Sequence, residues 1–391
     1  MRQAVCVDRL FLAADAGQPP SAAALTARAQ ALSAGAWADP LWRCHEARSS
    51  RLLLEAAADA VAGVCGDPNA LVAFLPGLPI AIRAAVEDVG ARRPGVLTTA
   101  VDRLLVQRLA TEPPIPVDRS GRVNPADVEK ALIRTGAGVF MCQVGNPEIG
   151  TRQQLQELHA VCRRTGSLLV VDASMAAGRV PLDFEWDVLV LDARSWAGFD
   201  GVTAVLRQPE LGLWRQADDA GLPMLPLGAP GVADIVGSAR ALEHAVHELD
   251  LQLDRDLTLT SNLRVALESI PDLQIHGDPR DRLPHVVGFS ALYVDAEALL
   301  LELDAGGIAV ASGSACAGAT GVLLPRRGSA ESAEADTSPG TASHVLAAIG
   351  ALTSGNVRVT LPLTPAAGID LAPLTDTLPG LISDLRAEAG L

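Results

Sequence analysis

Three short apolar runs between residues 167 and 208 constrain the fold of this chain more than any other feature. They cover residues 168–171, 188–191 and 202–206, and they are rich in Val and Leu. Runs of this kind, bounded by Asp, Gly or Pro, predict buried strands of an α/β sheet. Asp172 ends the first strand, and the sequence Asp-Ala-Arg-Ser follows the second at residues 192–195. Ligands of open α/β sheets bind at the carboxyl ends of strands, so we expect the functional site there.

Length and composition favour a large protein without membrane or nucleic-acid contacts. The 391 residues are 49% apolar and suit two domains. No apolar run reaches the roughly 18 residues that a membrane span needs. The N-terminal segment has an aspartate inside its apolar part and predicts a strand rather than a signal peptide, so we expect a cytoplasmic protein. The net charge of −15 argues against nucleic acid, because a phosphate backbone requires a basic stripe.

Cysteine and lysine usage limits the chemistry that the chain can carry. Its six cysteines form no CxxC pair and no cluster with histidine, so we expect no metal site. Lysine occurs once, as Lys130, in a segment with an Asn-Pro start and a glycine at 136. That segment predicts an amphipathic helix with Lys130 on or near its polar face. A Schiff base requires a lysine amine, so we expect none at the strand ends.

Two sequence motifs carry a resemblance to a known family. Residues 171–184 read VDASMAAGRVPLDF and residues 191–206 read LDARSWAGFDGVTAVL. They resemble the cysteine desulfurase branch of the class V aminotransferase-like, pyridoxal-phosphate (PLP) enzymes. The sequence SGSAC at residues 312–316 is similar to the loop that ends in the sulfur-accepting cysteine of those enzymes. The resemblance is collinear over nearly the whole chain.

The resemblance implies an α/β protein with the PLP-transferase type I fold. The large domain would be a three-layer α/β/α unit with a mainly parallel sheet, and the small C-terminal domain would be α+β. We expect the large domain at residues 12–250 and the small domain at residues 1–11 and 251–391. Residues 319–340 are rich in Ser, Ala, Glu, Gly and Pro and look like a flexible insertion relative to the family.

The resemblance also implies which residues would surround the cofactor. The PLP lysine of the family falls on Ser195, whereas the aspartate that pairs with the ring nitrogen is kept as Asp172. Asp172 could instead cap the turn after its strand. We therefore expect no PLP, or at most weak non-covalent binding. Other positions of this former cofactor pocket are altered: Met175 for the glutamine on the ring hydroxyl, Asp192 for the phosphate-binding serine, Arg194 for the histidine before the lysine, Arg103 for the stacking histidine, and Asn146 in the turn, which is more simply a turn residue.

Cys316 and Arg358 are the positions where the resemblance implies chemistry. Cys316 ends the SGSAC sequence and would accept sulfur as a thiolate, although it could also be an ordinary loop cysteine. Arg358 falls where the family's arginine grips the substrate carboxylate, and it could equally be a surface strand arginine.

Three functions fit this combination of kept and altered positions. The first is persulfide transfer through Cys316, without self-sufficient desulfurase activity. The second is a non-catalytic scaffold or regulator, acting as a homodimer or with an active desulfurase or sulfur-acceptor protein. The third is a rebuilt anion pocket lined by Arg103, Arg194 and Arg358, with another activity.

Overall fold

The computed structural model describes residues 9–90, 93–211, 229–312, 343–363 and 368–390. The described part of the chain forms a six-stranded sheet, a three-stranded sheet and a two-stranded ladder. In chain order the strands are β1 (Leu10–Phe11), β2 (Leu71–Pro76), β3 (Val96–Leu97), β4 (Val139–Gln143), β5 (Leu168–Asp172), β6 (Val188–Asp192), β7 (Val202–Arg207), β8 (Leu273–Ile275), β9 (Val286–Ala291), β10 (Ile308–Ala309) and β11 (Asn356–Thr360).

The six-stranded sheet has the order β2-β7-β6-β5-β4-β3. Strands β3 to β6 pair in parallel, and β7 is antiparallel to both of its neighbours. The other five strands therefore share one direction. The three apolar runs of the sequence are β5, β6 and β7, which confirms that prediction. Every residue of β4, β5, β6 and β7 is buried, as expected for strands covered on both faces.

Helices flank these strands. The described α-helices are α1 (Ala22–Ser33), α2 (His45–Val64), α3 (Leu78–Gly90), α4 (Leu104–Leu109), α5 (Pro125–Thr135), α6 (Leu155–Thr165), α7 (Val232–His247), α8 (Leu249–Glu268), α9 (Ala296–Ala305), α10 (His344–Ile349) and α11 (Ala372–Glu388). The start and stop signals around Lys130 act as predicted. The Asn124 side chain caps α5, and Gly136 ends it in the left-handed conformation. Residues 232–268 form two helices rather than one, because the chain breaks at Glu248 between α7 and α8.

Alternate residues of each central strand point into two separate cores, which produces three layers. Leu169 and Val171 of β5 belong to one core, which includes Leu158 of α6 and Leu242 of α7. Val170 belongs to the other core, where α3 supplies its apolar face. The result is an α/β/α unit with a mainly parallel sheet.

The smaller sheet has the order β11-β9-β8 and is antiparallel. Its core contains Phe289 of β9 and Val359 of β11, together with apolar residues of α8, α9 and α11. The division into a large domain at residues 12–250 and a small domain at residues 1–11 and 251–391 stays a prediction. No helix in the described ranges is both long enough and apolar enough to cross a membrane.

Candidate functional site

The neighbouring strands β5 and β6 each end in a buried aspartate, Asp172 and Asp192. Asp172 ends β5, pairs with Val190 of β6 across the parallel ladder, and is 5% exposed. Its Oδ1 accepts a hydrogen bond from the backbone N–H of Ser174 at 2.9 Å, so it caps the following turn. Its Oδ2 accepts from Nε of Arg103 at 2.9 Å. Arg103 also donates to the Ser174 hydroxyl at 3.0 Å, which fixes the guanidinium at this strand end.

The neighbouring strand end carries a second arginine–aspartate pair. Asp192 ends β6 and caps the short 3-10 helix Ala193–Trp196 by accepting from the backbone N–H of Arg194. The Arg194 guanidinium returns to the same carboxylate, with Nη2 at 2.7 Å from Oδ2. Ser195 follows and is 9% exposed, and its hydroxyl donates to the carbonyl of Ala177 at 3.0 Å.

Met175 and Asn146, two more residues of the predicted pocket, contact the surrounding protein. Met175 packs, partly buried, against the large core. The Asn146 side chain is fully buried: its Nδ2 donates to the carbonyl of Val101, and its Oδ1 accepts from the backbone N–H groups of Glu148 and Ile149. These contacts are those of a turn residue.

Arg358 lies on β11, away from the central sheet, and it too has a carboxylate partner. Its Nη2 is 2.5 Å from Oδ2 of Asp15, and each side chain is 8% exposed. Arg358 also exchanges backbone hydrogen bonds with Ala311, the residue before Ser312. The chain continues from Ser312 toward Cys316, which lies outside the described residues, as does the predicted insertion at 319–340. Each of the three predicted anion-binding arginines is therefore ion-paired with an aspartate.

Sequence reasoning missed Arg179, which connects the strand-end loop to the smaller sheet. Its Nε donates to the carbonyl of Ser195 and its Nη2 donates to the carbonyl of Leu361, both at 2.8 Å. It is 3% exposed and lies 3.5 Å from Asp256. Burial lowers the pKa of the Arg179 guanidinium to about 10 against the attraction of Asp256. The available signal was a lone arginine after Gly178 in the first motif.

Comparison with known proteins identifies the family. A family model described as aminotransferase class-V matches residues 100–330, which is 231 of the 391 residues. The chain belongs to the aminotransferase class-V family. Among its relatives, a cysteine desulfurase of Cereibacter sphaeroides is 31% identical over 336 residues, with 78% of this chain and 77% of the relative covered. The cysteine desulfurase IscS of Dictyoglomus turgidum is 28% identical over 373 residues, which cover 88% of this chain and 86% of the relative.

Solved structures of other proteins show the same fold. A NifS-like protein from Rickettsia africae superposes with a TM-score of 0.80 at 16% identity, covering 96% of this chain and 99% of the other. A cysteine desulfurase CsdA from Escherichia coli gives a TM-score of 0.72 at 18% identity, covering 96% and 95%. The predicted PLP-transferase type I fold is confirmed, as is the likeness to cysteine desulfurases.

Family membership corrects our expectation about the cofactor. We predicted no PLP, or at most weak non-covalent binding. This is wrong, because the members of this family are PLP-dependent cysteine desulfurases and PLP is the cofactor to expect. Asp172 is the residue that would hold the ring nitrogen. The described residues place no lysine amine at the strand ends to form a Schiff base with PLP. The one lysine of the chain, Lys130, lies on α5, where 76% of its side chain is exposed and it pairs with Asp127. We therefore derive no reaction step through the cofactor.

Proposed function

We propose that this class V family member handles sulfur and carries it as a persulfide on Cys316. The observation that supports this most directly is the SGSAC sequence at 312–316, which begins one residue after Ala311, the backbone partner of Arg358. The relatives named as cysteine desulfurases support the same class of activity. A homodimer and a cytoplasmic location belong to this proposal.

The proposed step is a sulfur exchange between two thiols. The Cys316 thiolate attacks the terminal sulfur of a donor persulfide, a new S–S bond forms at Cys316, and the donor leaves as its thiolate. The electrons balance without an added oxidant, because the donor sulfur already has the oxidation level of the product. A second thiolate on an acceptor protein would then remove the sulfur by the same exchange.

The test is to incubate the protein, reconstituted with PLP, with an active cysteine desulfurase and cysteine, and then to measure its intact mass. We expect the mass of one added sulfur atom on the wild type and on Cys44→Ala, which removes the exposed cysteine that caps α2, but not on Cys316→Ala. Equal sulfur on Cys316→Ala, or none on the wild type, would contradict the proposal.

A second candidate is a regulatory partner of an active desulfurase. It is favoured by an exposed apolar surface between α1 and α2, where Trp37, Leu41 and Trp42 are 68%, 59% and 71% exposed. Such surfaces often mark protein contacts. Sedimentation of the protein mixed with an active desulfurase checks this: a hetero-complex that is lost in Trp42→Ala supports it, and separate sedimentation at all ratios argues against it.

A further inference from the structure

The Arg358 guanidinium lies where three segments of the chain meet. Arg358 is on β11, and its backbone N–H and C=O bond to Ala311 at 2.7 and 3.1 Å. Further along the same edge of β11 the N-terminal segment is fixed to the strand, because the Thr360 N–H donates to the carbonyl of Leu12 at 2.7 Å and the Thr360 carbonyl accepts from the N–H of Ala14 at 3.2 Å. These bonds hold Asp15, the next residue, beside the arginine.

Asp15 supplies Arg358 with a carboxylate partner from within the chain. Its Oδ2 pairs with Nη2 of Arg358, and both side chains are more than nine-tenths buried. The other oxygen, Oδ1, is buried and has no hydrogen-bond partner within the described ranges. A buried carboxylate oxygen without a donor is costly. The pair therefore has an acceptor oxygen that needs an N–H or O–H donor, while its cation is already neutralised.

A free carboxylate ligand would have to compete with Asp15 for Arg358. An arginine fork binds a carboxylate strongly and with defined geometry. The internal carboxylate is held beside it by the backbone and acts at high effective concentration. Displacing it would also leave the Asp15 charge buried without its cation, which is a large penalty. Binding of a free amino acid through its carboxylate is accordingly disfavoured.

We propose that Asp15 is a specificity-determining residue that closes Arg358 to free carboxylates, so that the sulfur donor is a persulfide on a protein rather than a free amino acid. The choice of donor rests on the function proposed above. A cysteine within a polypeptide has no free carboxylate of its own, and its flanking peptide N–H groups are donors of the kind that Asp15 Oδ1 lacks.

The test uses Asp15→Asn, which keeps the size of the side chain and removes its charge. The probe is L-serine, an amino acid that has a carboxylate but no thiol, with binding measured by titration calorimetry on the PLP-reconstituted protein. We expect the affinity of Asp15→Asn to exceed that of the wild type by about tenfold or more, the scale of one charge-assisted hydrogen bond. In Asp15→Asn with Arg358→Gln the gain should vanish.

Asp200→Asn is the matched control, because Asp200 is also an aspartate beside an arginine, 3.7 Å from Arg194, but is 87% exposed. It should leave serine affinity unchanged. Equal affinity of wild type and Asp15→Asn, or a gain that survives Arg358→Gln, would overturn the proposal. If thermal unfolding shows that Asp15→Asn does not fold, Asp15→Ser serves for the same measurement.

A separate experiment tests which sulfur donor the protein uses, by measuring the mass of sulfur added to Cys316. Sulfur should arrive from a protein persulfide, whereas free cysteine persulfide should label the wild type more slowly than it labels Asp15→Asn. If serine affinity rises in Asp15→Asn while Cys316 takes no sulfur from any donor, the proposed function fails and the assignment of Asp15 stands. If Cys316 takes sulfur but serine affinity is unchanged, the assignment fails and the function stands.

Discussion

Arg103 donates from Nε to Oδ2 of Asp172 at 2.9 Å, and this pair is buried at the carboxyl end of β5 with side chains 15% and 5% exposed. The other oxygen of the Asp172 carboxylate, Oδ1, accepts a hydrogen bond from the backbone N–H of Ser174. A buried carboxylate needs such compensation, because removing its charge from water is costly. The ion pair therefore stabilises the strand end at which we expected chemistry.

Removing the cation from this pair should destabilise the fold. We expect Arg103→Met to lower the free energy of unfolding by about 2–4 kcal/mol, because Asp172 stays buried without its partner. Urea denaturation measures the change. Lys130→Met is the control: Lys130 pairs with Asp127 on the surface, so its removal should cost less than about 0.5 kcal/mol. Equal effects of the two substitutions would contradict the importance of burial.

Arg179 and Asp256 should behave as one energetic unit. Both side chains are 2% exposed, and Arg179 also bonds to the carbonyls of Ser195 and Leu361. We expect Arg179→Met to cost about 3–5 kcal/mol, since it removes one of the two arginines beside the buried Asp256 carboxylate and takes the Arg179 donor from two carbonyls. Asp256→Asn should cost less, because the Arg179 guanidinium keeps its bonds to the two carbonyls in that variant.

The double variant distinguishes a coupled pair from two independent residues. Arg179→Met with Asp256→Asn should be more stable than the sum of the single losses predicts, by about 1 kcal/mol or more. Additive losses in the thermodynamic cycle would show that Arg179 acts only through its carbonyl contacts.

The buried cysteines should react slowly with alkylating reagents. Burial raises the pKa of Cys65 and of Cys162 to about 12, and it raises the pKa of Cys142 well above its usual value. The thiolate is the nucleophile, so at pH 8 these three thiols are protonated as well as inaccessible. Iodoacetamide followed by peptide mass mapping should show that the exposed Cys44 is modified before Cys65, Cys142 and Cys162. Early labelling of Cys142 in the folded protein would show that β4 opens readily.

Acid should lower the free energy of unfolding through protonation of His276. Burial, and secondly Arg264, lower the pKa of His276 to about 4. In the unfolded chain the pKa of histidine is about 6.5. Between these values the unfolded state binds a proton that the folded state does not, so stability falls as the pH drops from about 6.5 to about 4. The contribution of His276 should approach about 3 kcal/mol at the lower end.

Variants assign this pH dependence to a residue. The Ser290 hydroxyl donates to the carbonyl of Leu352, so Nε2 of His276 is the donor to Ser290 at 2.8 Å. His276→Gln keeps a donor and should flatten the loss of stability between pH 6.5 and pH 4 when urea unfolding is compared across pH. His247→Gln, at the exposed end of α7, should not. An unchanged slope in His276→Gln would point instead to His285, whose pKa burial also lowers strongly.

The sequence by itself determined the layered fold and its family. Short Val/Leu runs such as 168–171, bounded by turn residues, favour strands of a sheet buried on both faces. Asn124, Pro125 and Gly136 set the ends of α5 through local backbone chemistry. These signals depend on residues that are close together in the sequence, so they can be recognised without the tertiary structure. The strand-end positions of Asp172 and Asp192 follow from them directly.

Only the tertiary structure decided which charges meet. Arg358 and Asp15 are 343 residues apart, Arg103 and Asp172 are 69 apart, and Arg179 and Asp256 are 77 apart. No local pattern encodes such pairs, because the partner of a buried guanidinium is set by how distant elements pack and by the need to compensate its charge where water is excluded. Three arginines that suggest an anion pocket in the sequence are, in the folded chain, each held by an aspartate.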